Sequence, residues 1–465
     1  MISLAFLYRF NTIISVRMLN KLTPRVILPY RFLRFHQSLI MMLIKEVVRM
    51  NMDDTIFLFL CTLLVWLMTP GLSLFYGGLV QSKNALNTVM QSMAAIVIVT
   101  FTWMIIGFSI SFDQGNDWLG GFKFLGLNHV GFAISKTISP HVPLALFMLF
   151  QMMFCTIAVS ILSGSIAEKM RFIPYLIFVG LWVVFIYSPV AHWVWGGGWI
   201  SKLGAIDYAG GTVVHITSGV SGLILGIMIG VGKKQEKHTP HNLLITLIGG
   251  ILVWLGWYGF NVGSAFTFDQ IAMVSFVNTV IAASAGAFGW LILEYALKKT
   301  TSLLGLLSGA LSGLVAITPA AGYVNYLSAV IIAVIGGIGC YVVINLIKVK
   351  LQYNDALDAF GIHGVGGVLG AVLTGVFQSH KVNDAVENGL IYTGDFKVIL
   401  IQLAAALATV VFSAIVTYMI ARIIKSFTPL ATTEEEDKTG LDAIVHGEKA
   451  YFYGELNKFN RRMKF

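Results

Sequence analysis

The sequence predicts an all-α integral membrane protein with eleven transmembrane helices. Of its 465 residues, 57% are hydrophobic and only 11% are charged, whereas soluble domains are about 25% charged. Apolar runs of about 20 residues, the length that spans a ~30 Å hydrocarbon layer, recur along most of the chain. The runs cover residues 54–76, 89–112, 142–166, 172–190, 207–231, 242–263, 270–293, 301–320, 325–347, 358–378 and 396–424.

An odd number of spans places the two termini on opposite sides of the bilayer. If the C-terminus is cytoplasmic, the loops on that side hold most of the lysines and arginines between the spans, among them Lys169, Arg171 and Lys298. This distribution follows the positive-inside tendency. It predicts an N-out, C-in topology in the inner (cytoplasmic) membrane.

Composition divides the chain into three parts. Residues 1–51 are rich in arginine and lysine and make a poor secretory signal. Two interpretations fit them: translation of upstream sequence, with true initiation at Met50 or Met52, or a genuine N-terminal extension or atypical targeting segment. Residues 52–428 are predicted to form the membrane domain, and residues 429–465, polar from Glu434 onward, a cytoplasmic tail.

An aspartate and a histidine recur at the same spacing in two spans. Asp207 precedes His215 by eight positions, and Asp355 precedes His363 by eight. The spans are the fifth and the tenth, which predicts two five-helix halves of inverted topology followed by a final helix. Each aspartate is expected to cap a helix, with Asp207 also near an outer vestibule. The sequence does not rank Asp355 against its neighbour Asp358.

The two histidines are the strongest functional candidates, because an ionisable group within a span is costly and usually faces a cavity or a partner. A neutral imidazole donates a hydrogen bond from one nitrogen and accepts at the other. Such a pair suits a small molecule that does both. Metal binding is the rival use, but no third ligand accompanies His215 or His363.

Two other functional classes lack sequence support. The formal charge of +9 is not accompanied by a basic helix, zinc-ligand spacing or aromatic-basic interleaving, so nucleic acid is not an expected partner. The loops show no nucleophile and base at useful spacing, so an enzyme is not expected. Glycine and proline at Thr69-Pro70-Gly71, Gly196-Gly197-Gly198 and Thr318-Pro319 predict breaks between elements.

Several segments together resemble a known family. They are Asp207-Tyr208-Ala209-Gly210-Gly211-Thr212-Val213-Val214-His215, Ala191-His192-Trp193-Val194-Trp195-Gly196-Gly197-Gly198, Gly256-Trp257-Tyr258-Gly259-Phe260-Asn261, Phe360-Gly361-Ile362-His363-Gly364, Thr318-Pro319-Ala320 and Gly440-Leu441-Asp442. The chain is thereby similar to the ammonium transporter (Amt/Rh/Mep) family, in its bacterial Amt branch, from about residue 53 to about 452.

The resemblance implies a homotrimer whose protomers each contain a pore, and it assigns roles to residues at matching positions. Trp195, Phe154 and Ser264 correspond to an external ammonium site, and Phe154 and Phe260 to a stacked gate. His215 and His363 correspond to the twin histidines of the pore, with Phe150 and Trp257 as wall residues.

The function implied is ammonium transport for nitrogen uptake. The protein is expected to recruit NH4+ at the aromatic site, deprotonate it and pass NH3 through an apolar pore in the lipid bilayer, with no cofactor or metal. A PII-type nitrogen signal protein is the implied partner at the cytoplasmic face. The alternatives are an ammonium sensor that signals through its tail and a Rhesus-like channel for NH3 or CO2, although the Trp195 motif and Ser264 favour the ammonium-recruiting branch.

Overall fold

The computed structural model describes residues 51–230 and 239–451. A helix occupies each of the eleven predicted runs. They are α1 Met52–Leu79, α2 Ser82–Phe112, α3 Leu144–Ile166, α4 Phe172–Leu203, α5 Gly211–Ile229, α6 Leu243–Gly263, α7 Gln270–Lys298, α8 Leu303–Ile317, α9 Tyr326–Leu351, α10 Phe360–Phe377 and α11 Lys397–Phe427.

Ten of these helices in the described ranges are long and apolar enough to cross a membrane. The exception is α8, whose 15 residues extend about 22 Å at 1.5 Å per residue, short of the ~30 Å core. The helical membrane fold is therefore confirmed. The count of eleven spans and the orientation of the bundle stay predictions.

Smaller elements lie between and after the helices. A two-stranded antiparallel sheet, β1 Ile134–Ser135 and β2 Ser139–Pro143, occupies the α2–α3 connection, and a one-turn helix, Leu390–Thr393, precedes α11. Two short helices follow α11: α12 Glu434–Thr439 and α13 Leu441–His446. The predicted extension lies outside the described residues except for Asn51, as do residues 231–238 and the last part of the tail. The three predicted parts of the chain remain predictions.

The glycine and proline clusters have different outcomes. The α4 helix does break at Trp195–Gly198, with Gly197 at a φ of 84°, and Thr318-Pro319 follows the end of α8. The break predicted at Thr69-Pro70-Gly71 is wrong, because α1 continues through Pro70. There α1 crosses α6 closely: a Cβ at Gly71 would lie 2.8 Å from the Leu252 Cβ. The glycine marks a helix crossing.

The two histidine-bearing helices cross at a pair of glycines. A Cβ at Gly219 of α5 would lie 2.3 Å from the backbone nitrogen of Gly364 in α10, so no larger side chain fits without displacing the backbone. Both helices also begin with a π-helical turn, Gly211–Ile216 and Phe360–Gly364, a feature frequent at functional sites. The crossing brings both turns together.

The tail docks on the end of the bundle where α2 begins. The Arg171 guanidinium lies 3.1 Å from a Glu436 carboxylate oxygen. The Asp442 carboxylate accepts hydrogen bonds from the backbone N–H groups of Leu86 and Asn87 at 3.0 and 2.8 Å, which caps the start of α2. The described part of the tail is therefore joined to the helix ends by both ion pairing and capping.

Candidate functional site

A cavity of about 590 Å³ opens at the end of the bundle where α2 ends and α3 begins. Its walls combine aromatic rings with polar groups. They include Phe147, Gln151, Phe154, Trp195, Asp207 and Ser264. Three of these are the residues to which the family resemblance assigns an external site, and the structure brings Trp195, Phe154 and Ser264 to one cavity.

Aromatic rings close the floor of the cavity. Trp195 stands edge-on to Phe154, with ring centroids 6.1 Å apart and planes at 81°. Phe154 stacks on Phe260 at 4.0 Å and 12°, and Phe150 packs behind Phe154 at 4.8 Å. Because rings 4.0 Å apart are in van der Waals contact, no gap remains between Phe154 and Phe260.

Asp207 connects the start of α5 to Trp195 in the cavity wall. Its carboxylate accepts four backbone hydrogen bonds, from the N–H groups of Gly210–Val213, at 2.7 to 3.1 Å. Its backbone carbonyl accepts the indole N–H of Trp195 at 2.8 Å. Burial raises the pKa of Asp207, and the four N–H bonds oppose that rise. The residue thus caps α5 and fixes the Trp195 ring.

Ser264 follows the last residue of α6. Its hydroxyl donates to the backbone carbonyl of Phe260 at 2.9 Å. Since that bond uses the single hydroxyl proton, the oxygen has only lone pairs left for a molecule in the cavity. Ser264 is an acceptor there.

The two histidines lie directly below the stacked rings. The His215 ring is 6.0 Å from Phe260, and its Nδ1 is 3.2 Å from the Nδ1 of His363. Trp257 covers both imidazoles, with centroids 5.3 Å from His215 and 6.5 Å from His363. Both histidines are buried. The repeated spacing in the sequence thus corresponds to a contact.

The contact between the two Nδ1 atoms fixes how the protons are arranged. Only one proton fits between them, so one ring donates at Nδ1 and leaves its Nε2 bare, while the other accepts and carries its proton on Nε2. A neutral pair therefore offers one Nε2–H donor and one bare Nε2 acceptor. The Nε2 of His215 is buried and has no hydrogen-bond partner among the described residues.

The second repeat has its own aspartate cap. Asp355 is fully buried, accepts the Ser165 hydroxyl at 2.6 Å, and accepts the backbone N–H of Gly361 at 3.1 Å. Like Asp207, it holds the start of a histidine-bearing helix.

Asp358 differs from its neighbour. Its backbone lies in the left-handed region, at a φ of 61°, and its carboxylate is 2.6 Å from the Lys348 ammonium. Partial desolvation raises the pKa of Asp358, and the charge on Lys348 opposes that rise. The structure thereby separates two acids that the sequence could not rank: Asp355 caps a helix, and Asp358 forms an ion pair.

Two residues near the site received no role from the sequence. The Thr318 hydroxyl accepts the indole N–H of Trp257 at 2.9 Å, a contact between α6 and the end of α8 that no local pattern indicates. Gln151 lines the cavity one helical turn before Phe154, and helical periodicity would have placed it there. No group of three metal-ligating side chains occurs within residues 51–230 and 239–451.

Comparison with known proteins assigns this architecture. A family model described as Ammonium Transporter Family matches residues 56–451. The chain belongs to the ammonium transporter family.

Two bacterial ammonium transporters share much of the sequence of this chain. It is 52% identical to an ammonium transporter of Bacillus subtilis (strain 168) over 402 residues, which cover 86% of this chain and 99% of the relative. It is 42% identical to an ammonium transporter of Aquifex aeolicus, with 87% and 94% of the two chains covered.

Solved structures share the fold of this family member. The crystal structure of Candida albicans Mep2 matches with a TM-score of 0.78 and 32% identity, covering 83% of this chain and 88% of that one. A structure described as a Sensor Amt Protein matches with a TM-score of 0.78 and 28% identity, covering 85% and 98%.

Proposed function

We propose that this protein carries ammonium across the cytoplasmic membrane by binding NH4+ in the cavity, removing a proton at its floor and passing NH3 along the histidine pair. The observation that supports this is a continuous order of groups. Trp195 and Phe154 are followed by the Phe154–Phe260 stack, and the stack by His215 and His363.

The cavity suits a small cation with N–H donors. The faces of Trp195 and Phe154 replace part of the hydration of a cation, at about 0.5 to 2 kcal/mol for each ring. The lone pairs of Ser264 accept one N–H bond, a directional contact that K+, which has no protons, cannot make. Aromatic faces and a neutral acceptor thus favour ammonium.

The stacked rings and the apolar interior disfavour passage of the ion itself. Moving a bare charge into such a region costs far more than ring faces return. Transfer of a proton from NH4+ to solvent water in the open cavity, beside the Phe154–Phe260 stack, removes that cost, and NH3 then meets the donor and acceptor of the histidine pair. K+ and Na+ cannot become neutral in this way, so the scheme explains their exclusion.

The decisive experiment records currents and uptake from protein reconstituted in liposomes, with ammonium, methylammonium and K+ applied in turn. We expect uptake of the first two and no response to K+. Equal responses to ammonium and K+ would refute the scheme. A current proportional to uptake shows that the proton also crosses, by the histidines or internal water. Uptake without current shows that it stays outside. CO2 flux without ammonium uptake would instead support the gas channel.

Replacing Trp195 by leucine tests the recruitment site. Loss of one cation–π contact of about 0.5 to 2 kcal/mol predicts an increase of about two- to thirtyfold in the ammonium concentration for half-maximal uptake. The maximal rate is expected to change less. The matched control is Trp199→Leu, since Trp199 packs against Trp118 and Trp193 and does not line the cavity. An unchanged half-saturating concentration in the Trp195 variant would count against a cation–π contact between Trp195 and ammonium.

The same proposal includes an assembly and a partner. We propose a homotrimer with the cavity outside and the tail in the cytoplasm, and a PII-type nitrogen signal protein that binds the cytoplasmic face. The lysine and arginine distribution supports this orientation. Co-purification from cells grown with excess and with scarce nitrogen tests the partner, and the mass of the complex in detergent tests the trimer.

A sensor is the second candidate function. The docked tail supports it: Glu436 contacts Arg171 in the α3–α4 connection, and Asp442 caps the start of α2. The likeness to the structure described as a Sensor Amt Protein also supports it. Ammonium-dependent protection of the tail from proteolysis, without ammonium uptake, would favour the sensor.

A further inference from the structure

Gln151 is a buried amide on the wall of the cavity. In α3 it lies one turn after Phe147 and one turn before Phe154, and all three line the cavity. Its side chain is 5% exposed, and its Oε1 is fully buried without a hydrogen-bond partner among the described residues. A buried carbonyl oxygen that lacks a donor is costly and calls for an explanation.

Two polar side chains of the cavity wall, Trp195 and Asp207, are already bound to groups of the protein. NH4+ has four N–H donors, and Ser264 accepts one of them. The Trp195 indole N–H is bound to the Asp207 carbonyl, and the Asp207 carboxylate is occupied by four backbone N–H groups. A second neutral acceptor close to Phe154 would therefore complement the cation.

We propose that the amide oxygen of Gln151 is a second hydrogen-bond acceptor, besides Ser264, for the ammonium ion in the cavity. The last torsion of a glutamine side chain is broad, so a rotation of the terminal amide turns the oxygen toward the cavity while the rest of the side chain stays packed. The contact is directional and adds no fixed charge. This inference rests on the proposed recruitment of NH4+ in the cavity.

A ligand role and a packing role for Gln151 predict opposite rankings of its variants by half-saturating ammonium concentration. Glutamate keeps the size and an acceptor oxygen, whereas leucine and methionine keep the bulk and remove the acceptor. If Gln151 binds ammonium, Gln151→Leu and Gln151→Met raise the half-saturating ammonium concentration about three- to tenfold, the effect of one lost hydrogen bond, and Gln151→Glu leaves it equal or lower. If Gln151 only fills space, the apolar variants transport normally and the glutamate variant is impaired.

The experiment measures ammonium uptake by full-length protein in liposomes over a range of concentrations at one pH. Gln91→Leu is the matched control, because Gln91 is also fully buried with an unpartnered Oε1 but lies outside the cavity. Elution in detergent and the thermal unfolding midpoint establish that each variant is folded. Methionine serves as the second apolar variant if leucine prevents folding.

Trp195→Leu in the same assay separates the two levels of the proposal. If it raises the half-saturating concentration and both apolar Gln151 variants leave it unchanged, the Gln151 role is overturned and the recruitment site stands. If neither the tryptophan nor the glutamine variants change it, recruitment in the cavity is itself overturned.

Discussion

Asp207→Ala is expected to cause the largest loss of stability and transport of any single substitution proposed. It leaves four backbone N–H groups at Gly210–Val213 without the carboxylate that they bind in the buried wall. Buried donors without partners predict a loss of about 3 to 5 kcal/mol in the free energy of unfolding. The carbonyl that holds Trp195 belongs to the same residue, so protein that still folds is expected to bind ammonium weakly.

The thermal unfolding midpoint in detergent and ammonium uptake in liposomes together test this expectation. Asn325→Ala is the control, because Asn325 caps α9 at an exposed position: its side chain accepts the Ser328 N–H at 2.9 Å and donates to the exposed Tyr392 hydroxyl at 2.9 Å. Loss of such a cap costs about 1 kcal/mol. A midpoint for Asp207→Ala equal to that of the control would show that the four bonds do not stabilise α5.

His363→Ala is expected to leave folding largely intact and to impair transport or its selectivity. It removes the Nδ1 partner of His215 at 3.2 Å and one of the two imidazoles available to NH3. Loss of one hydrogen bond of about 1 to 1.5 kcal/mol to the passing molecule lowers uptake about tenfold. The cavity left in place of the ring admits water, and the discrimination against K+ is expected to fall.

Uptake of ammonium and of K+ by the same liposomes measures both effects. His129→Ala, at an exposed loop position, controls for the substitution itself. Wild-type uptake combined with wild-type discrimination in His363→Ala would contradict the role given to the histidine pair.

The sequence predicts the helices well because ~20-residue apolar runs have few other structures available in lipid. Helix starts are harder, since they depend on capping. The apolar pattern predicts a fifth span from residue 207, but α5 begins at Gly211 because the Asp207 side chain binds the N–H groups that follow. The proline at position 70 predicts a break, yet packing of Gly71 against α6 keeps α1 continuous.

The candidate site is predictable where it is repeated or part of a motif. The equal Asp–His spacing indicates that His215 and His363 occupy equivalent positions in two repeats. In the structure their Nδ1 atoms are 3.2 Å apart. Contacts between segments that are distant in the chain produce no recognisable sequence pattern. The bond from Trp257 to Thr318 joins residues 61 positions apart, and the ion pair that distinguishes Asp358 from Asp355 requires the position of Lys348.

The single proton between the two Nδ1 atoms gives the histidine pair a direction. A proton that hops through the pair enters at one Nε2 and leaves from the other, so the pair ends in the opposite tautomeric state and must be reset before the next proton follows the same way. Neutral ammonia that slides past leaves the tautomers as they were. In the proposed mechanism, the pair therefore passes one proton in a given direction and must exchange tautomers before it passes the next, whereas successive NH3 molecules require no such reset.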